Sequence, residues 1–265
     1  MKLDTVVQAD IFDLCAGLPD HCVDMILCDL PYGTTACKWD EVIPFEPMWE
    51  AFRRLIKRQG AIVLTGSQPF TSKLICSNLK MFKYCWVWQK ANGTNFVNAP
   101  YQPLKAHEDI AVFSQGAASW QPTGVMNYYP QKIAGKPYSH SRKSEGDFIR
   151  GGLDSPKTEN NSGDRYPVSI LQCNEERGLH PTQKPVLLFE YLIKTYTLPG
   201  NIVFDPCVGS GTTAIAARKV DRHFFCGDNS EEYVAIANKR LIETDPYQDQ
   251  QRGSMVQRSL LRENV

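Results

Sequence analysis

A strand, a glycine turn and a helix start follow one another over residues 202–219, so late in this chain that the apolar run at 223–226, one helical stretch at 231–241 and a polar tail are all that follow it here. Ile202, Val203, Phe204 and Asp205 have the apolar, β-branched character of a buried strand; Gly209 and Gly211 supply the turn, and residues 212–219 continue as a helix. A turn of this kind lets the backbone approach a nucleotide-like ligand closely. The remaining strands must then come from the N-terminal half. That order separates two readings of Gly209, Gly211 and Ala214, which also satisfy the dinucleotide pattern G-x-G-x-x-A. A dinucleotide domain begins with this unit and adds strand–helix repeats after it, whereas here the unit comes last. For the glycines taken alone, strand–turn–helix packing without any ligand is the alternative.

Apolar runs bounded by turn residues recur at 23–27, 61–64, 84–88, 110–113, 202–204 and 223–226, and each reads as a short buried strand. Helical stripes lie between them: Met48, Trp49, Phe52, Leu55 and Ile56, then Leu187, Leu188, Tyr191 and Leu192 after Pro185. Strands alternating with helices predict an α/β chain with a mostly parallel sheet. With 42% apolar residues over 265 positions, the chain can bury the core of one large domain, or of a domain carrying a small insertion. The 29 basic and 29 acidic residues cancel, so a nucleic-acid surface has to be a local patch. Nine cysteines without a C-x-x-C pair predict reduced, mostly buried thiols and no structural metal. Asp4, Gln8 and Asp10 interrupt any signal-peptide core, and no apolar run reaches about eighteen residues, so a soluble, cytoplasmic protein is expected.

From residue 114 to 179 the composition shifts to Gly, Pro, Ser, Asn and Tyr with little periodicity, over a stretch too long for an ordinary loop. It reads as an inserted module or a mobile binding element. Within it Lys132, Lys136, Arg142, Lys143 and Arg150 are interleaved with Tyr128, Tyr129, Tyr138 and His140, a mixture suited to phosphate contact and base stacking. A solvated surface loop is the plain alternative. Residues 245–265 form a polar tail rich in Gln and Arg.

The other informative segment is Asp29-Leu30-Pro31-Tyr32, directly after the apolar run at 23–27. It sets a carboxylate, a backbone carbonyl and an aromatic ring at the mouth of a strand, where they can hold an amino group on a flat base. Pro31 keeps Leu30 extended, which fixes the direction of its carbonyl. A strand ending in a proline turn is the alternative for these four residues alone.

Together with Asp205-Pro206-Cys207-Val208-Gly209-Ser210-Gly211-Thr212-Thr213 and the intervening His180-Pro181-Thr182-Gln183-Lys184-Pro185, this segment resembles the amino-group DNA methyltransferases that use S-adenosylmethionine, in the permuted order called the beta class. The resemblance spans roughly residues 6–241 apart from the variable middle. It implies a Rossmann-like S-adenosylmethionine-dependent methyltransferase fold, a mostly parallel twisted sheet with one antiparallel strand. The expected organisation is a catalytic half at 1–113, a target-recognition insertion at 114–179, a cofactor-binding half at 180–244 and the tail.

On this resemblance Asp29, Leu30, Pro31 and Tyr32 carry catalysis: the carboxylate and the Leu30 carbonyl grip the amino hydrogens, and Tyr32 stacks on a base swung out of the duplex. Asp205, Pro206, Cys207, Gly209, Gly211 and Thr212 cradle the cofactor, Asp228 binds its ribose, and Thr182 and Lys184 reach its carboxylate end. Asp10 contacts its adenine end or forms a surface turn. Cys207 stands where relatives usually have Phe, and Leu30 where they usually have Pro. Trp39, with Asp40, lines the base pocket or packs the loop. Trp88, Lys90, His107 and Glu108 also match recurring positions, and His107 is given to structure or substrate support. Lys132, Lys136, Arg142 and Lys143 are the expected DNA contacts.

An Asp at the first motif position favours adenine-N6 over cytosine-N4 as the modified group. The partner implied is double-stranded DNA; a second copy of the chain, as in many relatives, is a candidate. A separate restriction endonuclease, action alone or a place in a mobile element stay open, with any cleavage needing another protein because no nuclease motif set occurs here. A methyltransferase fold that only binds DNA or cofactor within a complex, and a nicotinamide enzyme, are the readings from other classes.

Overall fold

The computed structural model describes residues 2–34, 40–120, 122, 124–140, 158–174 and 183–244. Ten strands and six α-helices occur among them: β1 (Thr5–Gln8), α1 (Ile11–Ala16), β2 (Val23–Cys28), α2 (Phe45–Leu55), β3 (Ile56–Gly66), α3 (Phe70–Ser77), β4 (Phe82–Thr94), β5 (Lys105–Phe113), β6 (Tyr138–His140), β7 (Thr158–Asn160), β8 (Ile170–Gln172), α4 (Val186–Tyr196), β9 (Ile202–Asp205), α5 (Thr212–Lys219), β10 (His223–Asp228) and α6 (Glu231–Glu243). Two compact units divide the chain. The larger is formed by residues 1–129 and 169–265, the smaller by Pro130–Val168.

In the larger unit eight strands form one sheet in the order β1-β10-β9-β2-β3-β5-β4-β8. Every pairing is parallel except the two made by β5, which runs against β3 on one side and β4 on the other. The expected single antiparallel strand is therefore β5. The central strands are apolar because both sheet faces are covered. In β2 every residue is buried, and Ile26 and Cys28 join the cluster built with α1, α2 and α3. Met25 and Leu27, also fully buried, point away by the two-residue period, toward the side where α4 packs.

Two boundaries move from the sequence expectation. Ile56 continues the helical stripe of α2 by spacing, yet its backbone is extended (φ −72°, ψ 135°) and it pairs with Val23 as the first residue of β3. A fully buried β-branched side chain is better used on the sheet than at a helix end. The smaller compact unit, Pro130–Val168, also covers less than the compositional segment 114–179. Ser114 donates to the Gly60 carbonyl at 2.8 Å, Met126 is buried, Tyr129 N–H donates to the Thr195 carbonyl at 2.7 Å, and β8 joins the main sheet, all within the larger unit.

The smaller unit holds the β6–β7 ribbon and an antiparallel bridge between Ile133 and Arg165. Arg165 stacks its guanidinium 4.5 Å from the centre of the Tyr138 ring, and its Nη2 donates to the Lys136 carbonyl at 2.6 Å.

The side to which successive strands are added reverses between the parallel neighbours β9 and β2. From β2 the chain proceeds outward to β3, and from β9 it proceeds the other way to β10. Loops leaving the carboxyl ends of two such strands diverge, and the crevice between them is where open α/β sheets bind ligands.

Candidate active site

Across that edge the strand ends carry a row of acids. β1 is followed by Asp10, β10 ends at Asp228, β9 ends at Asp205 and β2 is followed by Asp29, and these four strands are consecutive neighbours in the sheet. All four acids line one cavity of about 400 Å³, with Leu30, Pro31, Tyr32, Lys184, Pro206, Cys207, Gly209 and Thr212. A cavity of this size suits a nucleoside-sized ligand. Segments separated by nearly two hundred residues thus meet because β2 and β9 are hydrogen-bonded partners, Ile26 opposite Phe204.

The glycine loop works by two different means. Gly209 has φ +51°, and a Cβ built there would meet nothing within 4 Å; its N–H donates to Asp228 Oδ2 at 2.9 Å. Gly211 has φ +92° and would thrust a Cβ to 2.9 Å from that of Ala237 in α6. Gly209 therefore keeps the cavity open, while Gly211, absent from the cavity lining, lets the start of α5 pack against α6.

Asp228 also accepts from Ser230 N–H at 2.9 Å. Asp205 accepts from Cys207 N–H at 3.0 Å and from the Thr213 hydroxyl, so it ties the loop to the first turn of α5. Burial pushes the Asp205 carboxyl up from 3.8 to about 7, against those hydrogen bonds. Asp10 is the N-cap of α1 and accepts from Phe12 N–H at 2.8 Å, so its turn role and its place on the cavity coexist.

Asp29 is held from both oxygens. Tyr32 donates its phenol hydrogen to Oδ1 at 2.6 Å and Thr65, near the end of β3, donates to the same oxygen. Lys184 donates to Oδ2 at 2.6 Å. A carboxylate offers about four acceptor positions. Among the described residues three donors occupy Asp29, which leaves one position on Oδ2. The Tyr32 ring stacks on Phe70 at 5.0 Å between centroids, and burial with the Asp29 charge raises its phenol well above the ordinary value, so it stays a neutral donor. Asp40 accepts from Gly33 N–H and Thr34 N–H, both at 2.8 Å, and fixes the loop leaving the motif.

Lys184, expected at the carboxylate end of a cofactor, pairs its ammonium with Asp29 and with Glu108 Oε2 at 3.3 Å. Burial opposes that charge, but the two carboxylates prevail and raise Lys184 above the ordinary lysine value. Thr65 carried no sequence signal beyond its place after an apolar run, and the partnership of Glu108 with Lys184 none at all. Tyr233 and Phe189 line the cavity from α6 and α4, where spacing alone reads them as packing residues.

Trp39, Arg142, Lys143, Thr182, His180 and Pro181 lie outside the described residues. Lys132 and Lys136 are in the smaller unit, where Lys132 sits 4.8 Å from the Tyr166 ring centre and 4.0 Å from Asp164. No group of three or more His, Cys, Asp or Glu side chains suited to a metal occurs among the described residues, and none of their helices is long and apolar enough to cross a membrane.

A family model described as DNA methylase matches residues 23–239. The type II methyltransferase M.HpaI of Haemophilus parainfluenzae is 27% identical over 244 residues, covering 85% of this chain and 70% of that protein. M.BglII of Bacillus subtilis is 28% identical over 259 residues, covering 90% and 69%. Among solved structures the M1.HpyAVI–SAM complex superposes with a TM-score of 0.59 at 22% identity, over 89% of this chain and 98% of that one. The PvuII DNA methyltransferase, described as cytosine-N4-specific, does so with 0.64 at 15% identity, over 98% and 95%. At these identities the structural likeness speaks to the fold.

Proposed function

This chain belongs to the DNA methylase family of N6 and N4 enzymes, and on that premise we propose that it methylates the exocyclic N6 of an adenine swung out of duplex DNA. The observation that carries the proposal is that Asp29 and the Gly209 loop line one cavity although the chain separates them by about 180 positions. S-adenosylmethionine, the methyl donor of the family, supplies when bound a methyl group on a positively charged sulfur, which an amine can attack without an enzyme nucleophile. The residues present fit such a group: the positive-φ Gly209 borders open space, and Asp228 and Asp10 bring carboxylates to the same wall. Asp205, Pro206, Cys207 and Thr212 complete the proposed cradle, and the backbone supplies it whichever side chain stands at Cys207.

The catalytic work falls to Asp29 and Leu30. Oδ2 of Asp29 has an acceptor position left, and the Leu30 carbonyl is aimed by Pro31. Two acceptors on one amino group draw its hydrogens out of the ring plane, free the nitrogen lone pair from conjugation with the ring and favour the positive charge that develops on the nitrogen. Thr65 and Tyr32 keep Oδ1 fixed while this happens. The surplus proton on the product nitrogen passes to water, so His107 is not required as a base. Tyr32 and Asp40, which line the cavity, are the proposed platform for the flipped base.

Adenine is favoured because an Asp opens the motif, the commoner choice of N6 enzymes, where N4 enzymes usually carry Ser. Cytosine-N4 is the second reading, and fold likeness does not choose between them. The smaller unit, with Lys132, Lys136 and Tyr138, is the proposed reader of DNA sequence. The type II names of M.HpaI and M.BglII support a restriction-modification setting with a separate endonuclease, and a homodimer belongs to the same proposal.

The test is incubation with labelled S-adenosylmethionine and unmethylated duplex DNA of mixed sequence, followed by nucleoside analysis. N6-methyladenine is expected. N4-methylcytosine would overturn the choice of base and keep the site, and absence of both with the cofactor bound would overturn duplex DNA as the substrate.

A further inference from the structure

Four buried or half-buried charges of alternating sign run from β4 to the end of β2. Lys90 Nζ lies 2.6 Å from Glu108 Oε1, Glu108 Oε2 lies 3.3 Å from Lys184 Nζ, and Lys184 Nζ lies 2.6 Å from Asp29 Oδ2. Side-chain exposure is 11% for Lys90 and Glu108, 5% for Lys184 and 24% for Asp29, so the series ends on its most exposed member, and Lys184 and Asp29 are the two that line the cavity. The sheet explains the arrangement. Glu108 is near the start of β5, which runs antiparallel, so it shares the edge where β2 ends; β3 stands between the two strands. At roughly 4.8 Å per strand, Glu108 and Asp29 are about 10 Å apart in the sheet, and Lys184, entering ahead of α4, bridges the interval.

We propose that Glu108 is a positioning residue for methyl transfer: through Lys184 it fixes the plane of the Asp29 carboxylate, so that the remaining acceptor on Oδ2 faces the incoming amino group. The proposal rests on the reading of Asp29 as the acceptor of that group. Lys184 pins Oδ2 only while it is both charged and in place. An ammonium 5% exposed beside a single carboxylate has a competing outcome, transfer of its proton to form a neutral pair. The second carboxylate removes that outcome, because Lys184 then sits between two anions. Lys90 in turn neutralises Glu108 and stacks 4.9 Å from the Trp88 ring centre, which anchors the outer end of the series to β4. The titratable groups facing Lys184 are Asp29 and Tyr32 from the β2 end and Glu108 and Lys105 from β5, with Lys90 of β4 on the far side of Glu108.

The test compares wild type with Glu108→Gln, which keeps shape and removes charge, and Glu108→Asp, which keeps charge and shortens reach. In Glu108→Gln the kcat for methyl transfer should fall about tenfold or more, with KM for DNA and the Kd for S-adenosylmethionine within about twofold. The alkaline limb of its kcat–pH profile should move to lower pH, because Lys184 then loses its proton more readily. Glu108→Asp should fall between, and it serves alone if Glu108→Gln does not fold. A second readout needs neither DNA nor cofactor: the 13Cε resonance of Lys184, assigned by its loss in Lys184→Met, should titrate at lower pH in Glu108→Gln. An unmoved resonance overturns the coupling. A moved resonance with unchanged kcat overturns its part in the reaction. Full turnover by Asp29→Ala would instead bring down the reading of Asp29, and the resonance distinguishes the two failures.

Discussion

Asp29 illustrates how much a single side chain can owe to its neighbours. Three donors hold it from β3, from the loop after β2 and from the approach to α4. Asp29→Ala is expected to lower kcat by a factor on the order of 10² to 10³ while cofactor affinity changes little, since the glycine loop and Asp228 are untouched. Turnover measured beside isothermal titration with S-adenosylmethionine checks both halves of that statement. Asp205 makes a prediction about pH. Its folded value of about 7 exceeds the ordinary 3.8, so the native state holds a proton that the unfolded chain releases between those values. The stability it contributes is therefore complete below about pH 4 and is lost as pH rises through about 7. Asp205→Asn cannot ionise, and its Tm relative to wild type should climb by roughly several degrees between pH 5 and pH 8. A difference that stays constant over that range, read by scanning calorimetry, would refute the titration.

Among the elements, the glycine loop between β9 and α5 separates two roles that sequence pattern merges. Gly211→Ala would force a Cβ at φ +92° to within 2.9 Å of Ala237, and should cost about 2–4 kcal/mol by denaturant unfolding. Gly209→Ala meets open space and should cost only about 1 kcal/mol, but it should sharply weaken thermal stabilisation by S-adenosylmethionine, because the new methyl group borders the cavity. Equal effects from the two substitutions would remove this division of labour. The loop itself, α5 at residues 212–219, and the strands at 202–205 and 223–226 were legible because their apolar periods and breakers are local. Ile56 was not, since its place in β3 is decided by pairing with Val23, thirty-three residues away. The reach of β4 and β5 beyond 84–88 and 110–113 was hidden for a related reason: their outer halves are polar and are held as strand by each other, Gln89 opposite His107 and Thr94 opposite Lys105.

For the whole molecule, the order β1-β10-β9-β2-β3-β5-β4-β8 brings the C-terminal glycine loop and the N-terminal Asp29 motif to one crevice. The smaller unit leaves and rejoins at points tied into the larger one, by Tyr129 N–H on the Thr195 carbonyl at 2.7 Å and by Val87 N–H on the Ser169 carbonyl at 2.8 Å. No apolar side chain from the described part of Pro130–Val168 belongs to the buried core. Replacing residues 130–168 by a short Gly-Ser linker should leave cofactor-dependent thermal stabilisation intact and reduce methylation of duplex DNA by about 10²-fold or more, if that unit reads DNA. Retained methylation at the same sites would assign the reading to the larger unit.

What the amino-acid sequence determined by itself was the α/β class, the two motifs, their permuted order and through them the family, because each is written in neighbouring residues. Hydrophobic period, proline restriction and glycine turns act within a few positions of the chain. Tertiary structure decided which strand lies beside which, and so which charges meet. Lys184 is bound to Asp29 and Glu108 because β2, β3 and β5 are consecutive in the sheet, and Thr65 reaches Asp29 because β3 pairs with β2 in the register that sets Cys28 opposite Leu64. A buried ion pair costs desolvation that only a correctly placed partner offsets, and the partner's place is a property of the assembled sheet, not of any segment within it.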